Sequence, residues 1–292
     1  MNVGFIGAGK VGFSLGKLFV NNSIKVTGYK SKSIESAIKA ADFTKTESFA
    51  TIEAIVKKSD IIFITVPDGE ILSVWNHIKE LPVKEKIICH CSGCLTSIIF
   101  DGINEAGAYG YSIHPFFPIR DKWHSYMELS EATFTIEGAF FHLETVKTLL
   151  EKITPNVQII ENDNKDIYHA AAVFSSNLAI SLWSISKNML MDCGFSEELA
   201  EKTMAPLFLS NAENLGKYGD VNSLTGPIER ADIETIEKHL NCIEGDYLQV
   251  YSLLSKELIK VAEKKNPNRE YKKLKELILI KGGNNEKHDN DI

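Results

Sequence analysis

The segment Val3-Gly4-Phe5-Ile6-Gly7-Ala8-Gly9-Lys10-Val11-Gly12 decides the fold of the first half of this chain. A short apolar run predicts a buried strand, and three glycines follow it at the spacing Gly7-x-Gly9-x-x-Gly12. In such a loop the first glycine permits a tight turn, the second lets a diphosphate approach the backbone, and the third lets the next helix pack on the strand. The helix start then offers bare N–H groups and its positive dipole end to the anion. Residues Gly7, Ala8, Gly9, Lys10, Val11 and Gly12 are therefore predicted to bind a dinucleotide, and the alternative is a tight turn without a ligand.

Short β-rich runs alternate with helical patterns behind this loop, which predicts a mostly parallel sheet with helices on its faces. The run Ile61–Val66 is almost continuously apolar, as in a central strand that is buried on both faces. The predicted strands are Val3–Ile6, Lys25–Tyr29, Ile61–Val66, Lys86–Cys91, Tyr109–Ile113, Thr133–Glu137 and Val157–Glu161.

After Asn162 the pattern becomes helical. One long helix is predicted from Asp163 to Cys193, closed by Gly194, and its apolar stretch from Ala170 to Trp183 predicts burial on most sides. Pro206 is expected to kink or break the following helix, and Asp232 to cap a later one. The fold class is therefore an N-terminal α/β Rossmann dinucleotide-binding domain followed by an all-α C-terminal domain. The predicted limits are 1–162, 163–265 for the substrate or dimerisation domain, and 266–292 for a tail whose end, from Gly282, is expected to be disordered.

Composition excludes several classes of protein. The net charge of -7 argues against a nucleic-acid partner, which needs a basic face. No apolar run approaches the ~20 residues that span a bilayer, and a strand-like start at Asn2 argues against a signal peptide. Five cysteines, an odd number, fit a reducing compartment, so a cytoplasmic location is expected.

The end of the second strand indicates which nucleotide is bound. An NAD site usually places an acid there for the ribose 2′-hydroxyl. Here the sequence carries Lys30, Ser31, Lys32 and Ser33, and the first acid is Glu35. Two cations and two hydroxyls suit a 2′-phosphate, so NADP(H) is the predicted cofactor, and the alternative is a solvated basic turn.

Further candidates follow three other predicted strands, because ligands of such sheets lie beyond the carboxyl ends of the strands. The apolar strand ends in Val66, Pro67 and Asp68, and Ser92 follows the next strand. All four are predicted to line the cofactor, and the alternatives are a helix cap for Asp68 and a simple turn for Ser92. His114 is a candidate substrate contact or a histidine packed at a strand end.

The motif Cys91-Ser92-Gly93-Cys94 has the spacing of a redox or metal pair. Zinc needs a second ligand pair, which is missing, and alternation along a strand explains Cys89 and Cys91 more simply. No metal site is predicted, and the role of Cys91 and Cys94 is left open.

The predicted long helix carries the catalytic candidates. Lys165 and His169 share a face at a spacing of four residues, and Asn177 lies eight beyond His169. Hydride transfer to a C=O or C=N bond needs a proton donor, for which His169 is the first candidate and Lys165 the second, with Asn177 as orienter. Thr225 and Arg230 are candidate substrate contacts, and the alternative is an ordinary helix-start pair of Arg230 and Asp232.

Together these motifs resemble the Rossmann-like oxidoreductase family with a C-terminal helical domain of unknown function, over nearly the whole chain to about Lys264. The residues that carry the resemblance are Gly7–Gly12, Tyr29–Ser33, Thr65–Asp68, Ser92-Gly93, His114-Pro115, Tyr168–Ala172, Ser176-Asn177 and Leu224–Pro227. The chain departs from the expected pattern at Cys91 and Cys94, where Thr or Ala is expected, and near Ala231, where Gly is expected.

More distantly the chain looks like pyrroline-5-carboxylate reductase, ketopantoate reductase and 6-phosphogluconate dehydrogenase. That kinship implies NADP(H)-linked oxidoreductase chemistry on a small polar metabolite bound between the two domains, and homodimers formed through the helices. Two alternatives stay open: a reduced deazaflavin as the hydride partner, or a non-catalytic NADP(H)-binding sensor or scaffold.

Overall fold

Eight strands form one sheet in the computed structural model, which describes residues 1–282. The strands are β1 (Val3–Ile6), β2 (Val26–Lys30), β3 (Glu47–Ser48), β4 (Ile61–Ile64), β5 (Ile87–His90), β6 (Tyr109–Phe116), β7 (Thr133–Gly138) and β8 (Val157–Ile159). Their order across the sheet is β3-β2-β1-β4-β5-β6-β7-β8. The first six strands are parallel, whereas β7 runs antiparallel to β6 and β8 runs parallel to β7. The predicted α/β class is confirmed.

The chain crosses from one half of this sheet to the other beside β1, which pairs with β2 on one side and β4 on the other. Such a crossover leaves a crevice beyond the carboxyl ends of the strands, where ligands of open α/β sheets bind. The loop Gly7–Gly12 follows β1 directly, so it lies at this crevice.

Six helices belong to the same unit as the sheet, and the first five contribute residues to the two apolar clusters on its faces. They are α1 (Lys10–Asn21), α2 (Ile34–Thr44), α3 (Ile52–Lys58), α4 (Asp68–Ile78), α5 (Leu143–Glu151) and α6 (Lys165–Ser175). Along β4, Ile61 and Phe63 pack into one apolar cluster, while Ile62 and Ile64 pack into the other. This alternation confirms the prediction that the apolar run is a central strand covered on both sides.

Five helices follow: α7 (Asn177–Asp192), α8 (Glu197–Ser223), α9 (Ile233–Cys242), α10 (Gly245–Lys265) and α11 (Lys272–Gly282). Ser196 caps α8 and Asp232 caps α9 through their side chains, as predicted for Asp232. Gly194 has φ 92° and follows the end of α7, as expected of a residue that closes a helix. Ala231 has φ 56°, a left-handed conformation that favours the glycine expected near this position.

The prediction of one long helix from Asp163 to Cys193 is wrong, because the helix breaks at Ser176, which has φ -127° and ψ -79°. The hydroxyls of Ser175 and Ser176 donate to the carbonyl oxygens of Ala171 and Ala172, and such bonds compete with regular helical geometry. Burial of the stretch 170–183 is also wrong, since Phe174 and Ile180 are 69% and 68% exposed.

Pro206 does not break α8 either. The helix continues through this proline, and its non-helical residue is Gly219, with φ 75°. The helix tolerates the loss of one backbone N–H donor at Pro206. Gly219 adopts its positive φ because glycine has no Cβ.

The chain folds into two compact units, Met1–Ser176 and a second that begins at Asn177. The domain limits 1–162, 163–265 and 266–292 stay a prediction. The expected disorder from Gly282 onward falls on residues 283–292, which lie outside the described residues, while Gly282 itself ends α11. Within residues 1–282, no helix combines the length and the hydropathy that crossing a membrane requires.

Candidate functional site

Glycine is required at both ends of the loop after β1. Gly7 has φ 115°, and a Cβ built on it would lie 2.5 Å from the Thr65 carbonyl oxygen. A Cβ on Gly12 would collide with the Gly7 carbonyl oxygen and lie 2.5 Å from Thr65 Oγ1. Thr65 Oγ1 in turn donates a hydrogen bond of 2.8 Å to that Gly7 oxygen. The loop is thus clamped between α1 and β4, and a side chain at either glycine would collide with backbone.

Gly9 differs from Gly7 and Gly12 because no atom lies close to the position that a Cβ would take. It has φ -78°, and the nearest atom to a built Cβ is 3.8 Å away. Gly9 is the N-cap of α1, where no side chain caps the helix and the first turn holds no acidic residue. The first-turn N–H groups of a helix lack intrahelical partners. The space above Gly9 is therefore a cradle that fits a phosphate group, and a Cβ there would enter it.

The end of β2 only partly fits the predicted 2′-phosphate site. Ser31 is half-buried and Lys32 is exposed, while Lys30 Nζ donates to the Ser31 carbonyl oxygen at 2.6 Å. Ser33 caps α2, since its Oγ accepts from the Ser36 amide at 3.3 Å and donates to Glu35 Oε2 at 2.5 Å. The Ser33 hydroxyl is thus engaged by the helix, which leaves Ser31 and the two lysines as the candidates for a 2′-phosphate site.

Ser92 fixes the turn after β5. Its Oγ donates to Asp68 Oδ2 at 2.7 Å and accepts from the amides of Cys94 and Leu95 at 3.2 and 2.9 Å. Asp68 is the first residue of α4, where Pro67 is the N-cap and no side chain caps the helix. Ser92 therefore has the predicted turn role, whereas the cap role predicted for Asp68 is wrong. Val66 is half-buried beside them.

His90 lies under this turn and was not among the predicted site residues. Its Nδ1 accepts from the Ser92 amide at 3.2 Å, so the ring proton is on Nε2, which lies 3.1 Å from the Thr96 carbonyl oxygen. Burial lowers the pKa of His90 to about 4, which keeps the ring neutral at physiological pH. A histidine inside a strand gives no sequence signal that separates this role from simple packing.

Lys165 is buried, with only 1% of the residue exposed, and its Nζ donates to Ser112 Oγ at 2.6 Å. Ser112 Oγ in turn donates a hydrogen bond to the Ser92 carbonyl oxygen at 3.3 Å. Burial lowers the pKa of Lys165, and the nearby Glu137 carboxylate opposes that shift. Glu137 is itself buried and accepts from the Ser97 amide and hydroxyl at 2.7 and 2.6 Å. Lys165 therefore holds the Ser92 turn, and Glu137 supplies the countercharge that the sequence analysis missed.

Two histidine rings meet at Gly93. A Cβ built there would lie 2.6 Å from His169 Cδ2 and 3.0 Å from His114 Nε2. Tyr168, on the same helix as His169, places its hydroxyl 2.7 Å from His114 Nδ1. Thr135 Oγ1 donates to that hydroxyl at 3.1 Å. The structure thus brings the predicted residues Ser92, His114 and His169 to one place at the carboxyl ends of β5 and β6.

The cysteines near this site carry no visible chemistry. All five thiols of the chain are free, and burial raises the pKa of Cys91 to about 12. Throughout residues 1–282, no three His, Cys, Asp or Glu side chains are grouped so that they could hold a metal ion.

Three predicted site residues belong to the second unit. Asn177 is the first residue of α7, Thr225 is exposed, and Arg230 Nη2 lies 3.9 Å from Asp232 Oδ2. Asp232 uses its carboxylate to cap α9, as the helix-start alternative requires. A role for these three residues in substrate binding stays a prediction.

Comparison with known proteins places these features in context. Residues 1–115 match the model of a Rossmann-like domain, and residues 132–258 match a domain of unknown function, DUF2520. A search of curated proteins gave no significant match.

Solved structures share the fold. A crystal structure of a protein from Thermotoga maritima has a TM-score of 0.72 at 28% identity, over 90% of this chain and 99% of that one. A Bacteroides fragilis protein provisionally named as an NADP oxidoreductase has a TM-score of 0.72 at 19% identity, over 89% and 98%. A pyrroline-5-carboxylate reductase from Coxiella burnetii has a TM-score of 0.59 at 11% identity, over 94% and 98%. The chain therefore combines a Rossmann-like domain with a DUF2520 domain, as the resemblance of its motifs implied.

Proposed function

We propose that this protein is an NADP(H)-dependent oxidoreductase that transfers hydride to or from a small polar metabolite. The observation that carries the proposal is the pairing of an open phosphate cradle at Gly9 with two histidine rings at Gly93, both at the carboxyl ends of strands in one sheet. A tight turn alone would not need the space above Gly9. The names of the Bacteroides fragilis and Coxiella burnetii proteins support the same chemistry.

Each residue then has a role. Gly7–Gly12 hold the diphosphate through backbone amides. Ser31 with Lys30 and Lys32 faces the 2′-phosphate, while Ser33 caps the helix that follows them. The parts of the cofactor beyond these two phosphate sites are lined by Val66, Pro67, Asp68 and Ser92. When bound, NADPH supplies the hydride.

The substrate side of the proposal rests on other groups. His169 transfers the proton, Lys165 fixes the turn that faces it, and Asn177 orients the substrate. His114, Thr225 and Arg230 contact the substrate. The competing sensor function has no need of a proton-transfer group beside Gly93.

Ser31→Glu tests the choice of nucleotide. A carboxylate at the end of β2 repels a 2′-phosphate and removes one hydrogen bond to a charged group, so we expect NADPH affinity to fall about 10- to 100-fold. NADH affinity should stay equal or rise. Fluorescence titration with both nucleotides measures this, and Ser73→Glu, at an exposed position of α4, is the control for an added charge. Equal affinities that Ser31→Glu leaves unchanged would reject the 2′-phosphate assignment.

His169→Ala separates the enzyme from the sensor. NADPH affinity should stay within about twofold, while NADPH oxidation with a panel of 2-oxo acids and cyclic imines should fall about 100-fold or more. His77→Ala on α4 is the control, because that ring pairs with Glu53 on the surface. Full turnover in His169→Ala would eliminate the proton-transfer role.

A homodimer and a cytoplasmic location belong to the same proposal. Several large apolar side chains of α7 and α8 are exposed, and a second copy would cover some of them. Ile180, Leu207 and Leu209 are 68%, 68% and 59% exposed. Sedimentation equilibrium should give twice the chain mass, and Leu207→Glu should shift it toward the monomer. The five free thiols fit a reducing compartment.

A further inference from the structure

His114 is held from one side only. Its Nδ1 lies 2.7 Å from the Tyr168 hydroxyl, with the two rings at 88°. Its Nε2 is directed to Gly93, where a built Cβ would stand 3.0 Å away. Within residues 1–282, no protein group is hydrogen-bonded to that Nε2. Nε2 is therefore the ring nitrogen of His114 that is left for a partner from outside the protein.

The hydrogen bonds around Tyr168 decide which ring nitrogen carries the proton. Thr135 Oγ1 donates to the Tyr168 oxygen at 3.1 Å, which is shorter than its 3.4 Å approach to the His114 carbonyl oxygen. With Thr135 as donor, the Tyr168 proton has His114 Nδ1 as its acceptor. A neutral imidazole that accepts at Nδ1 carries its hydrogen on Nε2.

The electrostatic surroundings keep this ring neutral. Burial is the largest cause that lowers the pKa of His114 to about 4, and electrostatic interactions with Lys165, His169 and His90 act in the same direction. Burial also raises the pKa of Tyr168, so its hydroxyl keeps its proton at neutral pH. Because the folded pKa lies below the ordinary value of about 6.5, the ring stays uncharged from about pH 5 upward.

We infer that His114 is a fixed hydrogen-bond donor, whose Nε2–H polarises the reacting group of the substrate, and that Tyr168 and Thr135 are the positioning residues that set its tautomer. The inference rests on the proposed oxidoreductase function and deepens it. His169 and His114 then have different tasks, proton transfer and polarisation. Neutral histidine is a suitable electrophile because its N–H donates a hydrogen bond to the developing negative charge.

The tautomer also restricts the class of substrate. An N–H donor binds an atom that has a free lone pair, such as the carbonyl oxygen of an aldehyde, ketone or 2-oxo acid. A protonated imine presents an N–H of its own at the same place, and two donors face each other unfavourably. The site is therefore built for a carbonyl group and discriminates against a protonated imine.

Ring-nitrogen NMR of the full chain labelled with 15N-histidine tests the inference without turnover. His114→Gln identifies the signals among those of the eight histidines. We expect one tautomer, with Nε2 protonated and Nδ1 bare, unchanged from pH 5.5 to 8. A proton on Nδ1, or a ring that gains a second proton within this range, would overturn the assignment.

Variants of the positioning residues supply the control. Tyr168→Phe and Thr135→Val should make the Nδ1–H form detectable, whereas Thr135→Ser should restore the single tautomer. The second unit holds a matched pair, in which His239 Nδ1 lies 2.8 Å from the Tyr251 hydroxyl with the rings also at 88°. Tyr251→Phe should leave the His114 signals unchanged. A single tautomer that persists in Tyr168→Phe would remove Tyr168 from this role.

Substrate preference is measured by NADPH oxidation with 2-oxo acids and with a cyclic imine at a pH below the pKa of that imine. At least 10-fold faster reduction of the 2-oxo acids is expected, and reduction of the imine alone would overturn the substrate class. If NADPH binds and neither class is reduced, the proposed oxidoreductase function fails, while the NMR result still decides the tautomer.

Discussion

Gly9→Ala is expected to abolish tight NADPH binding while leaving the fold intact. The nearest atom to a Cβ at this position is 3.8 Å away and the backbone has φ -78°, so alanine fits the protein itself. The methyl group would instead occupy the space assigned to the diphosphate, and a loss of at least about 100-fold in affinity corresponds to about 2.7 kcal/mol. The unfolding free energy should change by less than about 1 kcal/mol, because the poorer N-cap and the stiffer unfolded chain offset each other.

Thermal unfolding with and without NADPH measures both quantities in one experiment. Saturating nucleotide should raise the wild-type melting temperature and leave that of Gly9→Ala unmoved. Gly216→Ala is the matched control, since a Cβ there also meets nothing within 4 Å, and its response to NADPH should equal that of the wild type. Gly7→Ala should differ from both by losing stability as well, because its Cβ collides with the Thr65 carbonyl. Normal NADPH affinity in Gly9→Ala would place the diphosphate elsewhere and remove the basis of the proposed function.

The sheet could be predicted from the sequence because strand patterns are local. Predicted strand ends agree with the structure to within about three residues, since continuous apolar runs such as Ile61–Ile64 leave few other ways to be buried. The break at Ser176 could not be predicted in this way. It depends on whether a serine hydroxyl bonds to its own helix or points to solvent, and the same residue type does both.

The site was predictable only where one motif carries it. The spacing of the glycines in Gly7–Gly12 is enough to predict their role. Thr135 and Tyr168, in contrast, contact His114 from positions 21 and 54 residues away in the chain. Distances of that length depend on the register of β6 and β7, which pairs His114 with Thr135. Glu137 follows two residues later and points to the same face, so strand alternation places it near Lys165 once the register is known. Helical spacing correctly predicted that Lys165 and His169 lie on one helix. It did not predict that Lys165 would be the buried one.

Glu137→Gln is expected to cost about 3–5 kcal/mol of unfolding free energy near neutral pH, because it removes the carboxylate that most favours the charged form of the buried Lys165. The loss should shrink as pH rises. Burial already lowers the pKa of Lys165 below its ordinary value, and removal of Glu137 lowers it further. A lysine whose folded pKa is depressed destabilises the fold at low pH, and that cost disappears as pH rises through the folded pKa toward the unfolded value of about 10.4. Urea unfolding at a series of pH values measures this dependence.

Lys165→Met in the Glu137→Gln background should recover most of the lost stability, because it replaces the stranded cation with an apolar side chain of similar length. The exposed pair of Lys58 and Glu47, 2.6 Å apart, is the control, and Glu47→Gln should change stability little. If Glu137→Gln costs no more than this surface control at neutral pH, or if adding Lys165→Met makes the loss larger, then Glu137 is not the countercharge. If stability recovers and NADPH oxidation is lost, the buried lysine lowers the stability of the fold but is needed for activity. Its role is then to hold the turn at Ser92 through Ser112.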